Sequence, residues 1–255
     1  MERRFPIRGT IVATETAERT LTVAHEPIEG YMDAMTMTLH VADDVDVRTV
    51  TIGDRITATL VVADRESVLT DVKRIDAAGA VEIASVADPV EGQPAPDFAL
   101  VDQDGKPLTL RDFRGDTVAI TFIYTRCPLP DYCALMTDHF AEVERALRSN
   151  PSLWSRTRLL SISIDPERDT PPVLAEYGRK AVAPAEPDFT HWSLATGDPD
   201  TIRRVAAAYG LSYETRSGQI VHSLRTAVVG PDGTLVRLLR GNKWTAEQLM
   251  QMLSS

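Results

Sequence analysis

The chain has 255 residues, of which 43% are apolar and 25% charged, and its formal net charge is −10. That length allows two separately cored units, and the ordinary composition excludes a disordered or fibrous chain. With 27 basic side chains against 37 acidic ones, no broad positive field exists to neutralise phosphates. Nucleic acid and anionic membrane surfaces are therefore disfavoured partners, and small cations or another protein fit better.

In chain order, residues 7–13, 21–25, 35–41, 55–62 and 68–75 read as short strands separated by turn-rich stretches such as Thr14–Arg19 and Ala42–Asp46. Five alternating strands over residues 7–76 predict a small OB-like barrel, which closes its own edges and can carry a site on its wall. Residues 77–96 are small and proline-bearing, with Pro89, Gly92, Pro94 and Pro96 in quick succession, and read as a linker.

From residue 97 onward, strands alternate with helices, which predicts a sheet covered by helices. The central strand is Thr117–Tyr124, an almost continuous apolar run of the kind buried on both faces. A helix over 134–148, a strand over 158–164 and helices over 172–180 and 198–209 follow. Strands near 220–229 and 234–239 flank the Asp232-Gly233 turn, and a last helix starts at Thr245.

The chain has only two cysteines, Cys127 and Cys133, both on the loop after the central strand. Such a pair is a local disulfide, a redox couple or a soft-metal site. A loop that feeds a helix sets at least one sulfur near the helix N-terminus, where the dipole and unpaired amides favour thiolate. Pro128 and Pro130 restrict the loop. His222, in Gln219-Ile-Val-His-Ser223, is a third candidate. As a lone strand histidine it also has a plain structural reading.

Several ordered segments of this half resemble the SCO/SenC family of thioredoxin-like copper-delivery proteins that assist cytochrome oxidase assembly. They are Phe122-Ile-Tyr-Thr-Arg-Cys-Pro128, Ser163-Ile-Asp-Pro-Glu-Arg-Asp-Thr-Pro171, Leu194-Ala-Thr-Gly197, His222-Ser223 and Gly241-Asn-Lys243. The resemblance implies copper ligation by Cys127, Cys133 and His222. It departs in spacing, because five residues separate the cysteines here where the family usually has three. The donor set itself suits Cu(I) and also accepts Cu(II), and zinc, which favours four closed ligands in structural sites, is the main competitor. Asp165 reads either as a carboxylate orienting His222 or as a turn carboxylate before Thr170-Pro-Pro172.

Three of the seven methionines lie in Met32-Asp-Ala-Met-Thr-Met37, and His25 ends the preceding strand. Met35 and Met37 project from one strand face, where a neighbouring His25 adds an imidazole to two thioethers. Filling the barrel core is the plain alternative for two same-face methionines. The stretches His25-Glu-Pro-Ile28 and Ala34-Met-Thr-Met37 resemble the CusF-type periplasmic copper-binding barrel. That resemblance implies His25, Met35 and Met37 as ligands, with an aromatic ring capping the ion. The capping position, normally tryptophan, is Met32 here with Tyr31 beside it, so either a fourth thioether or a tyrosine ring completes the site.

Two soft-metal constellations on separate domains lead to the expectation of a periplasmic copper metallochaperone. The barrel would capture Cu(I) and exchange it with the thioredoxin-like domain across the linker, whose tether raises effective concentration. A recipient cuproprotein such as cytochrome oxidase is the expected partner. Residues 1–6 carry no secretory apolar core, and no stretch matches the roughly 18 apolar residues of a spanning helix, so any leader or anchor is expected upstream. The rival class is a thiol–disulfide oxidoreductase with Cys127 as nucleophile and Cys133 as resolving thiol. Peroxide reduction, with Thr125 and Arg126 as activating groups, and a merely disulfide-locked loop complete the alternatives. His40, His139 and His191 and the three tryptophans, Trp154, Trp192 and Trp244, read as packing or surface residues.

Overall fold

The computed structural model describes residues 2–16, 18–51, 53–63, 66–77, 86–127, 130–183, 185, 188–216 and 219–254. They fall into two compact units. One gathers Met1–Ser85, Pro128–Asp131 and Ser212–Ser223, the other Val86–Cys127, Tyr132–Leu211 and Leu224–Ser255.

The first 77 residues form strands β1 (Arg3–Glu15), β2 (Thr20–His25), β3 (Met35–Val41), β4 (Asp54–Val62) and β5 (Ser67–Ala77). These close into a barrel in the order β1-β2-β3-β5-β4, with β1 pairing both β2 and β4. The alternation read from sequence fills its interior, where Ile7, Ile11, Leu21, Val23, Leu39, Ile56, Leu60 and Leu69 are all buried. β1 serves two neighbours because it is long, and its pairing with β2 shifts register between Ile11 and Ala13, a bulge of the kind that bends a strand around a small barrel.

The remaining chain runs β6 (Ala99–Asp102), β7 (Pro107–Thr109), β8 (Thr117–Ile123), α1 (Leu135–Arg148), α2 (Pro151–Trp154), β9 (Thr157–Ser163), α3 (Pro171–Val182), β10 (Trp192–Thr196) and α4 (Pro199–Ala208). It then continues through β11 (Tyr213–Arg216), β12 (Gln219–His222), β13 (Arg225–Val229), β14 (Leu235–Arg240) and α5 (Ala246–Leu253). Seven of these strands make one sheet in the order β14-β13-β8-β9-β10-β6-β7. β8, β9 and β10 are parallel, and β13 runs antiparallel to β8. Val118 through Ile123 are buried throughout, as expected of a strand covered on both faces. Asn150 and Asp198 accept from backbone N–H groups at the starts of α2 and α4, and Thr245 does so in a capping box at α5.

Several expectations change in detail. The region 220–229 is not one sheet strand: β12 pairs with β11 as a separate hairpin, and β13 joins the large sheet. Ser223 breaks the run, because its N–H donates to the Ser212 carbonyl at 3.0 Å and its hydroxyl accepts from the Ser212 N–H at 3.3 Å. The sequence pattern does not mark β6, β7, β10 and β11, which are short; β7 lies at the sheet edge and β6 beside it. Of the expected linker, Ala77 ends β5, and residues 78–85 lie outside the described residues, as do Pro128 and Leu129 of the cysteine loop. Residues 88–96 are tied into the second unit. Asp88 accepts from Arg225 at 3.0 Å and Arg240 at 2.7 Å, and Gly92 N–H donates to the Leu235 carbonyl.

Candidate metal centres

β8 delivers the chain to Tyr124, which is buried, and the cysteine loop begins there. The Tyr124 N–H donates to Cys133 Sγ at 3.4 Å, and the Cys127 N–H turns back to the Tyr124 carbonyl at 3.3 Å. Thr137, in the first turn of α1, donates to the Cys133 carbonyl at 2.8 Å and shares a 2.7 Å hydrogen bond with the Tyr177 hydroxyl. Cys127 is half-buried and Cys133 fully buried, both as thiols.

The expected thiolate at the helix start is corrected for Cys133. Burial pushes its thiol well above the ordinary value, the neighbouring Cys127 adds to that, and the Tyr124 N–H only partly opposes it. Desolvation of the charged form outweighs the helix terminus here. The same burial, reinforced by the two cysteines, raises the Tyr124 hydroxyl.

The residues just before Cys127 are held by the segment between β9 and α3. Asp169, fully buried, accepts from the Thr125 hydroxyl at 2.6 Å, the Thr125 N–H at 3.0 Å and the Ser163 hydroxyl at 2.6 Å. Asp165 accepts from Arg126 at 2.7 Å and faces Arg168 at 3.8 Å. Asp165 thus binds the loop arginine, and it is the Ser223 carbonyl that orients His222. Asp169 went unread although its segment was singled out in the sequence, because a buried aspartate and a turn aspartate look alike there.

His222 closes β12 and is buried. Its Nδ1 lies 2.9 Å from the Ser223 carbonyl. A carbonyl only accepts, so Nδ1 carries a proton, and Nε2 is the ring atom that the neutral tautomer would offer to a metal. One donor atom from each of Cys127, Cys133 and His222 lies within 4.8 Å of the other two. Thiolate and imidazole bonds to a d¹⁰ ion are about 2.0–2.3 Å long, so a contraction of under about 1 Å brings all three onto one ion. The five-residue interval between the cysteines does not keep the sulfurs apart.

The barrel repeats the histidine device. His25 ends β2, is buried, and donates Nδ1–H to the Glu26 carbonyl at 2.7 Å. Among the described residues its Nε2 is buried without a hydrogen-bond partner, a costly state for a ring nitrogen unless a ligand occupies it. Burial lowers the His25 pKa, with the Glu26 carbonyl opposing, so the ring stays neutral. His25 sits opposite Met35 in the β2–β3 register, with Val23 opposite Met37. Period two therefore places His25, Met35 and Met37 on one face. Met35, Met37 and Met32 are all buried.

Tyr31 stacks on Phe5 with ring centroids 4.3 Å apart, and the Arg3 guanidinium lies 5.1 Å from the Tyr31 centroid. Gly9 lies opposite His25 on β1, where a Cβ would come within 2.5 Å of the Ala24 carbonyl oxygen and 2.8 Å of His25 Cα. That close approach is why β1 carries glycine at this point. Two of the remaining histidines pack as expected: His139 lies against Trp244, and His191 stacks on Trp154 while bonding Asp188.

A thioredoxin-like α/β domain carrying Cys127 and Cys133, preceded by a closed five-stranded barrel, with a Cys127, Cys133 and His222 group able to hold a metal, defines the class: a protein of the Sco type. The SCO1/SenC family model matches residues 88–255, and the chain belongs to that family. The family model described as copper binding periplasmic protein CusF matches residues 4–83. Protein SCO1 homolog, mitochondrial, of Mus musculus is 34% identical over 170 residues, covering 64% of this chain and 55% of that protein. The SCO1 protein homolog of Bacillus subtilis (strain 168) is 28% identical over 160 residues, covering 61% and 78%. The match thus spans about half the length of the mouse relative.

Among solved structures, Bradyrhizobium japonicum ScoI with copper bound superposes with a TM-score of 0.51 at 28% identity, covering 63% of this chain and 98% of that one. BsSco, described as a member of the Sco family of cytochrome c oxidase assembly proteins, gives 0.54 at 26% identity, covering 67% and 96%. Among the described residues, no helix is long and apolar enough to cross a membrane.

Proposed function

We propose that this chain is a copper metallochaperone of the periplasm or an equivalent extracytoplasmic space, carrying copper at two sites and delivering it to a cuproprotein such as cytochrome oxidase. The observation that carries this reading is the convergence of Cys127, Cys133 and His222 within 4.8 Å in a member of a family with copper-bound structures. Two thiolates and one neutral imidazole form a three-coordinate soft site, and an ion held by three ligands remains open to attack by a recipient's donors. The barrel, OB-like in its strand order, holds a second ion through His25, Met35 and Met37, with buried Met32 as the added thioether; the CusF match supports this and the extracytoplasmic assignment.

Cargo passes between the sites by ligand exchange, one incoming donor replacing one outgoing donor. The test is titration of the reduced full chain with Cu(I) against a competing chelator. Binding that weakens in Cys127→Ala and His222→Ala supports the reading; absence of binding, or binding indifferent to both substitutions, overturns it.

A second reading, thiol–disulfide exchange, is favoured by one observation: the more exposed Cys127 and the buried Cys133 match an attacking and a resolving thiol. Catalysed reduction of a disulfide substrate, lost in Cys127→Ser, would support it.

A further inference from the structure

We infer that Asp169 is the positioning residue of the cysteine site, setting where Cys127 stands relative to Cys133. This inference deepens the copper reading and rests on it. Cys127 lies on an irregular loop, so the β-ladder does not fix its place; β8 ends at Ile123. What fixes the chain is a carboxylate from another segment. Asp169 Oδ1 takes the Thr125 hydroxyl, and Oδ2 takes both the Thr125 N–H and the Ser163 hydroxyl.

Thr125 is two residues before Cys127, and Ser163 is the last residue of β9, the strand paired with β8. One buried side chain therefore ties the start of the cysteine loop to the end of the neighbouring strand. The tie is itself braced: Asp169 N–H donates to the Asp165 carbonyl at 2.8 Å, Asp165 N–H to the Ser163 hydroxyl at 3.1 Å, and Ile164 N–H to the Ile123 carbonyl at 2.9 Å. Cys133 is placed separately, by the Tyr124 N–H on its sulfur and Thr137 on its carbonyl. Moving Thr125 thus acts first on Cys127, two residues on, and on Cys133 only through the neighbouring Tyr124 N–H.

No general acid or base role is required of Asp169, since it needs only acceptor oxygens. Asparagine there keeps the shape and puts an N–H₂ where one oxygen received a hydrogen, so one bond of the tie is lost. Outer partners of metal ligands typically contribute about 10–100-fold in metal affinity, and an effect of that size is expected here.

The experiment uses the full reduced chain with Asp169→Asn, Thr125→Val and Thr125→Ser. One measurement is Cu(I) affinity at the cysteine site, read by thiolate–Cu(I) ultraviolet absorption under chelator competition. The other needs no copper: equilibration with glutathione, in which the two thiols and one oxidised glutathione give the Cys127–Cys133 disulfide and two reduced glutathiones. Asp169→Asn and Thr125→Val are expected to shift both constants about tenfold or more while far-UV circular dichroism stays native, and Thr125→Ser, which keeps the hydroxyl, to restore them.

If Asp169→Asn does not fold, Thr125→Val against Thr125→Ser decides. Folded variants with unchanged copper and glutathione constants overturn the inference, as does Thr125→Ser behaving like Thr125→Val. A wild-type chain that binds no Cu(I) at the cysteines but shifts its glutathione constant in Thr125→Val would refute the copper reading and leave the positioning role standing.

Discussion

The two candidate sites use the same histidine device on unlike scaffolds. His25 and His222 each end a strand and each donate Nδ1–H to the next residue's carbonyl. Their other donors differ. In the barrel these are neutral thioethers fixed by strand register, whereas in the cysteine loop they are thiols that must lose protons and are placed by hydrogen bonds from a distant segment. If both sites bind copper as proposed, the barrel donors predict binding with little redox or pH response, and the cysteine donors predict binding that responds to both.

The largest expected separation between them is in pH dependence. Burial holds the Cys133 thiol protonated far above neutrality, so each proton displaced by copper adds about tenfold in apparent affinity per pH unit. Between pH 6.5 and 8, Cu(I) affinity at the cysteine site should rise by about 30-fold or more. The barrel site should change less than about twofold, because His25 has its pKa lowered and is already neutral there. Equal slopes from competition titrations would erase the distinction.

Next in size is Met37→Leu, which should weaken barrel Cu(I) affinity about tenfold or more by removing one of few donors. As a volume-conserving change at a buried position, it should alter unfolding free energy by less than about 1.5 kcal/mol; chelator competition and urea unfolding read the two effects. Gly9→Ala inverts that pattern. Its Cβ collides with the β2 backbone beside His25, so the barrel should lose about 1–3 kcal/mol in urea unfolding.

The smallest effect is the acid response of the barrel. A histidine with a lowered folded pKa binds fewer protons folded than unfolded, so its contribution is fully present above the unfolded value of about 6.5 and is lost as pH falls below it. The slope should stay under about 1.4 kcal/mol per pH unit and disappear in His25→Gln, as measured by urea unfolding at pH 7.5 and pH 5.

The same contrast governs what could be read from the sequence. Strand period two put Met35 and Met37 on one face, the CusF resemblance added His25 from the neighbouring strand, and the β2–β3 register agrees. Cys127, Cys133 and the long apolar β8 were also legible, since they announce themselves by residue type and local pattern. Three features were not. The hydrogen bonds of Asp169 run 44 residues along the chain to Thr125; the break at Ser223 that separates β12 from β13 depends on Ser212; and the burial that raises the Cys133 thiol exists only in the folded chain. Each is set by a partner remote in sequence, which local pattern does not encode.

The most direct test of two chemically distinct copper sites is X-ray absorption of Cu(I) on the reduced full chain and two variants, combined with stoichiometry. Two equivalents are expected for the unaltered chain. One should remain in Cys127→Ser/Cys133→Ser, bound by thioether sulfur and imidazole nitrogen, and one in Met35→Leu/Met37→Leu, bound by two short thiolate bonds and imidazole nitrogen. A single equivalent in the unaltered chain, or the same sulfur environment in both variants, would contradict it.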